Sequence, residues 1–338
     1  MRLFKALFIG VLISTPASAQ LAPGKVALVI HGGAGTIRRE SMTPDVERQY
    51  REKLTEALNT GYRILLKGGS SVDAVEATLR ILEDSPLFNA GKGAVFTSAG
   101  TNEMDAAIMD GKTLKAGSVA SLHHVRNPIS LARRVMDRSR HVMMVGDGAE
   151  QFAKEQGLEL VAPHYFWTER RWQSYERSRD SAEKARIGKP SSGSSEADKK
   201  YGTVGAVALD QSGNLAAGTT TGGINWKEYG RVGDAPIIGA GTYANNASCA
   251  VSATGQGEIF IRRTVASDIC ARVKYLRQSV AEAANDVVMK ELVSVGGEGG
   301  VIAMDARGNI ATPFNSAGMY RGWVSPDGKL VVKIFRDE

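Results

Sequence analysis

Apolar residues recur along this chain in two rhythms, and their alternation outlines most of a fold. Over 46–66 they fall at roughly helical spacing, and Gly68-Gly69 marks the stop. A second helix is predicted over 72–83, with Ser71 as its cap and Pro86 beyond its end. Short apolar runs predict strands at 26–30, 104–109, 118–123 and 141–145, and helical spacing returns at 128–136 and 149–155. The second half repeats a unit. Ala206-Val207-Ala208-Leu209-Asp210-Gln211-Ser212-Gly213-Asn214-Leu215-Ala216 is echoed by Val301-Ile302-Ala303-Met304-Asp305-Ala306-Arg307-Gly308-Asn309-Ile310-Ala311. Each copy reads as a hairpin turning at D-x-x-G-N. Helices are predicted between the hairpins, at 259–273 and 280–293. Strands that are apolar on both faces must be covered on both. The pattern therefore predicts an α+β architecture, two stacked β-sheets between helix layers.

One stretch breaks the rhythm. Among the 27 residues of 176–202, Ile187 is the only large aliphatic, and Lys, Arg, Ser, Glu, Gly and Pro fill most of the rest. Such a segment buries too little surface to order itself and reads as a flexible linker. It stops at Gly202-Thr203, where the apolar run Thr203-Val204-Gly205-Ala206-Val207-Ala208-Leu209 begins. A surface loop that ends at a threonine heading a buried strand is where a self-cleaving hydrolase would release its nucleophile. Cutting before Thr203 would place a new α-amine beside its hydroxyl, base and nucleophile in one residue. Most threonines at strand starts are turn residues, so the surrounding residues have to decide.

Composition narrows the classes. The 338 residues suffice for one large domain or two ordinary ones. Hydrophobic content of 43% and charged content of 23% are those of a soluble globular protein. At the N-terminus, Arg2 and Lys5 precede an apolar core over 6–13, and Ala17-Ser18-Ala19 forms a small-x-small cleavage site. The run is too short to span a bilayer. Residues 1–19 are thus expected to be a signal peptide, and the protein to be exported, in a bacterial setting to the periplasm. The formal charge of +6 includes two charges from that segment, and the remaining basic residues are scattered. No nucleic-acid partner and no membrane partner is expected. Cys249 lies in a strand-like stretch and Cys270 on a predicted helix. Export permits a disulfide, but nothing in the sequence brings the two together, and buried free thiols are the expectation. CxxC and HExxH motifs are absent, so no zinc site is expected.

Downstream of Thr203 lie three polar clusters: Thr219-Thr220-Thr221-Gly222-Gly223, Arg231-Val232-Gly233-Asp234 and Ser252-Ala253-Thr254-Gly255-Gln256-Gly257-Glu258. Each alone reads as strand threonines, a surface ion pair or a glycine turn. Together they supply an amidase site. The α-amine of Thr203, with a reference pKa of about 7.7–8.0, accepts a proton near neutral pH. Thr254 and Gly255 offer a hydroxyl and a backbone N–H for an oxyanion. Arg231 suits a substrate carboxylate and Asp234 a substrate ammonium, which together recognise an amino-acid head group.

These residues carry a resemblance. His31-Gly32-Gly33-Ala34-Gly35, Pro86-Leu87-Phe88-Asn89-Ala90-Gly91, Met104-Asp105-Ala106, Gly202-Thr203-Val204-Gly205-Ala206-Val207, Thr221-Gly222-Gly223, Gly230-Arg231-Val232-Gly233-Asp234, Gly239-Ala240-Gly241-Thr242-Tyr243-Ala244 and Thr254-Gly255-Gln256-Gly257-Glu258 stand in this order. The sequence resembles the plant-type L-asparaginase / isoaspartyl peptidase family of N-terminal nucleophile hydrolases (threonine peptidase family T2) over roughly residues 25–325, the linker apart. The resemblance implies an αββα sandwich made as an inactive precursor. It implies cleavage into an α-chain (20–202) and a β-chain (203–338) that together form one domain, and assembly as an (αβ)₂ heterotetramer. The activity implied is hydrolysis of β-aspartyl peptides and L-asparagine to L-aspartate. Thr203 matches the nucleophile, and Thr221 the threonine that orients it. Arg231 and Asp234 match the head-group residues, and Thr254 and Gly255 the oxyanion hole. Gly257 lies at the substrate-binding turn, and Asn89 close to the nucleophile. No catalytic cofactor is implied. A structural sodium is, held by backbone carbonyls of Leu82, Glu83, Ser85, Phe88, Ala90 and Lys92.

Three other readings compete. Glycosylasparaginases share the fold but tend to carry Asp-Thr-Ile-Gly at the cleavage point, where this chain has Gly202-Thr203-Val204-Gly205. Threonine aspartases act on whole proteins. A non-catalytic periplasmic amino-acid-binding protein would use Arg231 and Asp234 but leave Thr203, Thr221 and Thr254 unexplained.

Overall fold

A computed structural model describes residues 25–186 and 202–338. The expected signal peptide lies outside the described residues. The first element among the described residues is β1 (Ala27–Gly35), which runs on through the His-Gly-Gly-Ala-Gly motif. Helix α1 (Pro44–Leu66) starts at Thr43, whose side chain accepts from the Val46 N–H, with Pro44 in the first turn. Helix α2 (Ser71–Glu83) is capped by Ser70, whose hydroxyl accepts from the Asp73 N–H. Ser71, the expected cap, instead donates its backbone N–H to Asp210. Then follow β2 (Met104–Asp110), β3 (Ala116–Leu122), α3 (Pro128–Arg138), β4 (Met143–Val145) and α4 (Gly146–Glu155).

Helix α5 (Glu169–Arg186) overlaps the first residues of the expected structureless run. It is polar nearly all round, which is why composition hides it. What holds it are Trp172 and Tyr175, which pack on Phe96, with Tyr175 also meeting Trp226. Residues 187–201 of that run lie outside the described residues.

The twin hairpins form as the repeat predicts. In the first, β5 (Thr203–Leu209) turns into β6 (Leu215–Thr221), and Asp210 Oδ1 accepts from the N–H groups of Ser212 and Asn214. Between them come β7 (Thr242–Ala244), β8 (Cys249–Gly255), α6 (Gly257–Arg263) and α7 (Val265–Tyr275). The single helix expected over 259–273 is split at Thr264, in a left-handed conformation with φ 46°. Helix α8 (280–294) follows, with a π-helical stretch at Asp286–Glu291. In the second hairpin, β9 (Gly299–Asp305) turns into β10 (Ile310–Ala311), and Asp305 Oδ1 accepts from Arg307 and Asn309 in the same way. Strands β11 (Gly318–Val324) and β12 (Leu330–Phe335) end the chain.

The strands form two sheets, in the orders β12-β11-β1-β5-β6-β2-β3-β4 and β10-β9-β8-β7. Alternation along each strand then decides the layers. In β5, Val204, Ala206 and Ala208 face a core shared with Leu54 and Leu58 of α1, Val75 and Leu79 of α2 and Ile129 of α3. Val207 and Leu209 face the other way and meet Ala250, Ile302 and Met304 of the second sheet. The outer face of that sheet, through Val251, Ala253 and Val301, buries Val265 and Ile269 of α7 and Val288 of α8. The result is the α+β sandwich expected, helix on sheet on sheet on helix.

The cysteines correct an expectation. Cys249, at the start of β8, and Cys270, on α7, form a disulfide with Cα atoms 5.2 Å apart. They are not free thiols. The packing of α7 against the outer face of β8 brings together two residues 21 positions apart.

Candidate active site

Thr203 heads β5 at the edge of the inter-sheet layer. Its register partner on β6 is Thr221, and the partner of Thr221 on β2 is Asp105. Residues directly opposite in antiparallel strands share a face. Thr203, Thr221 and Asp105 thus form one row, looking into the space between the sheets. The hydroxyl of Thr203 donates to Thr221 Oγ1 at 3.1 Å. Thr221 Oγ1 also accepts from the Gly223 N–H at 2.9 Å and donates to the Gly202 carbonyl oxygen at 3.3 Å. One hydroxyl therefore touches both the candidate nucleophile and the carbonyl of the bond before it.

Asn89 holds this corner. Its Nδ2 donates to the Gly223 carbonyl at 2.6 Å, its Oδ1 accepts from the Val95 N–H, and its own carbonyl accepts from Gly222. A side chain at Gly202 would lie 2.7 Å from Asn89 Cβ. Asn89 is accordingly packed against the residue before Thr203.

Thr254, the last residue but one of β8, lies at the same edge of the stack and is fully buried. Its Oγ1 accepts from the Ala34 N–H at 3.3 Å, so its own hydrogen remains to donate. Alternation puts the Gly255 N–H on the edge of β8 used by Ala253, whose N–H donates to Gly241. A Cβ at Gly255 would fall 2.5 Å from the Glu298 carbonyl oxygen, so only glycine fits there.

Arg231 and Asp234 converge on Gly257. A Cβ at Gly257 would stand 2.5 Å from Arg231 Nη2 and 3.1 Å from Asp234 Oδ1. Arg231 makes a two-pronged pair with Glu258, at 2.9 and 3.1 Å. The Glu258 carboxylate, held below its ordinary pKa mainly by that contact, shows what the guanidinium fork accepts. Asp234 is buried, and burial pushes its carboxyl up to about 7. Its Oδ2 has no hydrogen-bond partner among the described residues. A buried carboxyl with an unpartnered oxygen beside a guanidinium is suited to an ammonium.

Sequence reasoning gave no role to several residues here. Burial raises the Asp105 pKa, Lys227 works against that rise, and the Ser121 N–H donates to Asp105. Lys227 is buried and donates to the Glu103 carbonyl. His31, Thr219, Thr242 and Ser252 are all fully buried and hydrogen-bonded behind Thr203. Only the cross-strand register of β5, β6 and β2 would have pointed to Asp105; nothing in the sequence pattern points to Lys227.

Comparison with known proteins bears on the family of the chain. Residues 24–334 match the family described as Asparaginase. The chain is 50% identical over 315 residues to an isoaspartyl peptidase of Escherichia coli, covering 93% of this chain and 98% of that protein. It is 52% identical to an isoaspartyl peptidase of Salmonella typhimurium, covering 93% and 99%. A plant-type L-asparaginase of Pyrococcus furiosus is 43% identical over 302 residues, covering 87% and 94%.

Proposed function

The chain belongs to the asparaginase family, and on that premise we propose that it is a self-processing enzyme that hydrolyses isoaspartyl peptides and L-asparagine to release L-aspartate. The observation that carries this reading is the Thr221 hydroxyl, in contact with both Thr203 Oγ1 and the Gly202 carbonyl oxygen. Thr203 Oγ attacks the Gly202 carbonyl carbon while Thr221 polarises the carbonyl oxygen. The C–N bond breaks as the C–O bond forms, and the nitrogen takes the proton. Water then hydrolyses the ester, leaving a carboxylate on Gly202 and a free α-amine on Thr203.

That amine becomes the base for substrate. Arg231 takes the substrate α-carboxylate and Asp234 its α-ammonium, which turns the side-chain carbonyl toward Thr203. The amine accepts the hydroxyl proton as Oγ attacks. The Thr254 hydroxyl and the Gly255 N–H bear the oxyanion. The leaving amine departs with the proton, and water releases aspartate from the Thr203 ester. Asn89 and Gly257 shape the site without taking part in bond changes.

The loop over 82–92 suits a structural sodium. It closes on its own backbone: a Cβ at Gly91 would fall 2.4 Å from the Glu83 carbonyl oxygen, and one at Gly93 2.0 Å from that of Phe88. The glycines leave the Glu83 and Phe88 carbonyls free of any side chain packed on them, and carbonyl oxygens are ligands that suit a hard cation. The carbonyls of Leu82, Glu83, Ser85, Phe88, Ala90 and Lys92 would hold it. When bound it supplies no chemistry beyond fixing the loop that carries Asn89.

Export to the periplasm is proposed from the N-terminal pattern, and the Cys249–Cys270 disulfide supports it. Assembly as an (αβ)₂ unit is proposed from family membership.

Mass spectrometry of the purified protein, paired with aspartate release from a β-aspartyl dipeptide, tests the reading. Two fragments, the smaller beginning at Thr203, and stoichiometric aspartate are expected. A single intact chain that binds aspartate without turnover would favour the amino-acid-binding alternative. Turnover confined to glycosylated asparagine would favour a glycosylasparaginase.

A further inference from the structure

The β1–β5 ladder ends at the pair His31↔Gly205. Beyond it, the carbonyl of Thr203 has no ladder partner on β1. A side chain takes over: His31 Nδ1 lies 2.9 Å from Thr203 O. A carbonyl only accepts, so Nδ1 carries the hydrogen. Burial holds the imidazole neutral, its pKa lowered to about 3, and Nε2 is therefore the acceptor.

The remaining bonds then have one direction. Ser252 Oγ, 2.9 Å from Nε2, must donate to it. Ser252 in turn accepts from Thr219 Oγ1 at 2.7 Å, and Thr219 accepts from Thr242 Oγ1 at 2.6 Å. Each of these hydroxyls has one hydrogen, so the carbonyls of Gly241 and Ala235, at 3.1 and 3.0 Å, share the hydrogens that Thr219 and Thr242 direct along the chain. The chain of donors runs from β7 through β6 and β8 to β1 and ends on Thr203. All four side chains are fully buried.

Gly205 makes the crossing possible. A Cβ there would fall 1.9 Å from Ser252 Oγ and 2.2 Å from His31 Nε2. The glycine two residues after the nucleophile is the gap through which His31 of one sheet reaches Ser252 of the other.

We propose that His31 is a positioning residue for Thr203, its ring fixed by Ser252, Thr219 and Thr242 so that Nδ1–H anchors the Thr203 carbonyl. This rests on the reading of Thr203 as the nucleophile. Before the cut, the preceding peptide and His31 together restrain Thr203. Afterwards Thr203 is a chain end, and its carbonyl is the backbone group that His31 still fixes. That anchor sets the angle at which the α-amine and the hydroxyl face the substrate. His31 lies on the N-terminal fragment and Thr203 on the C-terminal one, so the link crosses between the two products of processing.

The test uses His31→Gln and His31→Asn, assayed as processed enzyme with a β-aspartyl dipeptide. Asn places its amide near the position of Nδ1 and keeps a donor for Thr203. Gln reaches toward Ser252 and loses that donor. We expect His31→Gln to lower kcat by ~10–100-fold with KM within about three-fold, and His31→Asn to recover most of the loss, because small misplacements of reacting groups carry penalties of this size. Equal impairment by both variants, a kcat for His31→Gln within two-fold of the parent, or a change confined to KM overturns the proposal.

Should His31→Gln fail to fold, Ser252→Ala keeps the imidazole and removes the hydroxyl that orients it. A several-fold loss in kcat at constant KM supports the chain of donors, and an unchanged kcat overturns it. The rate of self-cleavage provides a readout free of substrate. If the parent cleaves itself but hydrolyses no β-aspartyl compound, the proposed activity fails, while slowing by His31→Gln and recovery by His31→Asn still support the positioning role. A parent that does neither overturns both.

Discussion

Thr203 and Thr221 are direct register partners on β5 and β6, and their hydroxyls meet at 3.1 Å. The Thr221 hydroxyl reaches on to the Gly202 carbonyl, 3.3 Å away. Under the proposed function, self-cleavage and substrate turnover would share one hydroxyl. Thr203→Ala should remain one chain, because no oxygen is left to attack. Thr221→Val should slow the cut and, once processed, also lower kcat, each by ~10–100-fold, since one polarising and orienting contact is lost. Time-resolved denaturing electrophoresis follows the first effect and steady-state assays the second. A Thr221→Val protein that processes at the parent rate removes Thr221 from the self-cleavage step.

Thr254→Val separates charge stabilisation from binding. Removing one oxyanion donor typically costs about 10²–10³ in turnover. The neutral carbonyl of bound substrate gains little from that donor, so KM should hardly move. Valine keeps the β-branched shape at the end of β8. The Ala34 N–H that now bonds Thr254 Oγ1 would lose its acceptor, and the thermal transition checks for that. Turnover within a few-fold of the parent rules the hydroxyl out of the oxyanion hole.

Asp234 gives a pH dependence with a definite sign. Its pKa is 3.8 in an open chain and about 7 when folded, because burial disfavours the charge. The fold thus prefers the protonated form. The stability this group contributes is complete below about pH 4 and is lost as pH rises toward and through 7. Asp234→Asn should therefore raise the thermal midpoint relative to the parent at pH 8 and leave the two alike near pH 4. Binding runs the other way: an ammonium needs the carboxylate, so affinity for the aspartyl head group should increase as pH rises through about 7. Calorimetric titration with L-aspartate at pH 5.5 and 8 measures this. Affinity that does not change between the two, in the parent, removes Asp234 from ammonium recognition.

The disulfide closes a loop of 21 residues between β8 and α7. Loops of this size are worth about 3 kcal/mol by the chain-entropy relation. Cys249→Ser with Cys270→Ser should lower the unfolding free energy by ~2–4 kcal/mol, read from urea midpoints with and without reductant. Because β8 also ends in Thr254 and Gly255, activity should fall only where the fold is partly lost. An unchanged midpoint would show that the packing of α7 on β8 needs no crosslink.

Much of this architecture is legible in the sequence, for physical reasons that also explain the gaps. Residues 203–221 combine an unbroken apolar run, an Asp-x-x-Gly-Asn turn and a second run, so both strands and their register follow from local signals. Asp210 and Asp305 bind their turns identically, which is why the two hairpins share one residue pattern along the chain. Strand β11 gave no such signal. Gly318, Arg321 and Gly322 interrupt it, and its place is set by pairing with β1 nearly 300 residues away, as in His31↔Arg321. The Cys249–Cys270 bond likewise depends on helix-on-sheet packing that spacing does not encode. The site candidates that sit on short motifs could be named from the sequence: Thr203, Thr221, Arg231, Asp234, Thr254. Those whose meaning lies in a crossing between sheets were not. His31, Thr219, Thr242 and Ser252 come from four strands and meet only once the sheets are stacked.

The place of β1 in the large sheet has a consequence for how such a molecule persists. It lies between β11 and β5, so a strand from before the cut is hydrogen-bonded on both sides to strands from after it. Severing the Gly202–Thr203 bond therefore releases nothing. It does change what unfolding means. An uncut chain that opens can close again by itself, whereas two separated pieces must find each other and re-thread one strand between two others. Maturation would thus exchange a recoverable equilibrium for a clock, with the lifetime of the working enzyme set by how slowly that sheet first comes apart.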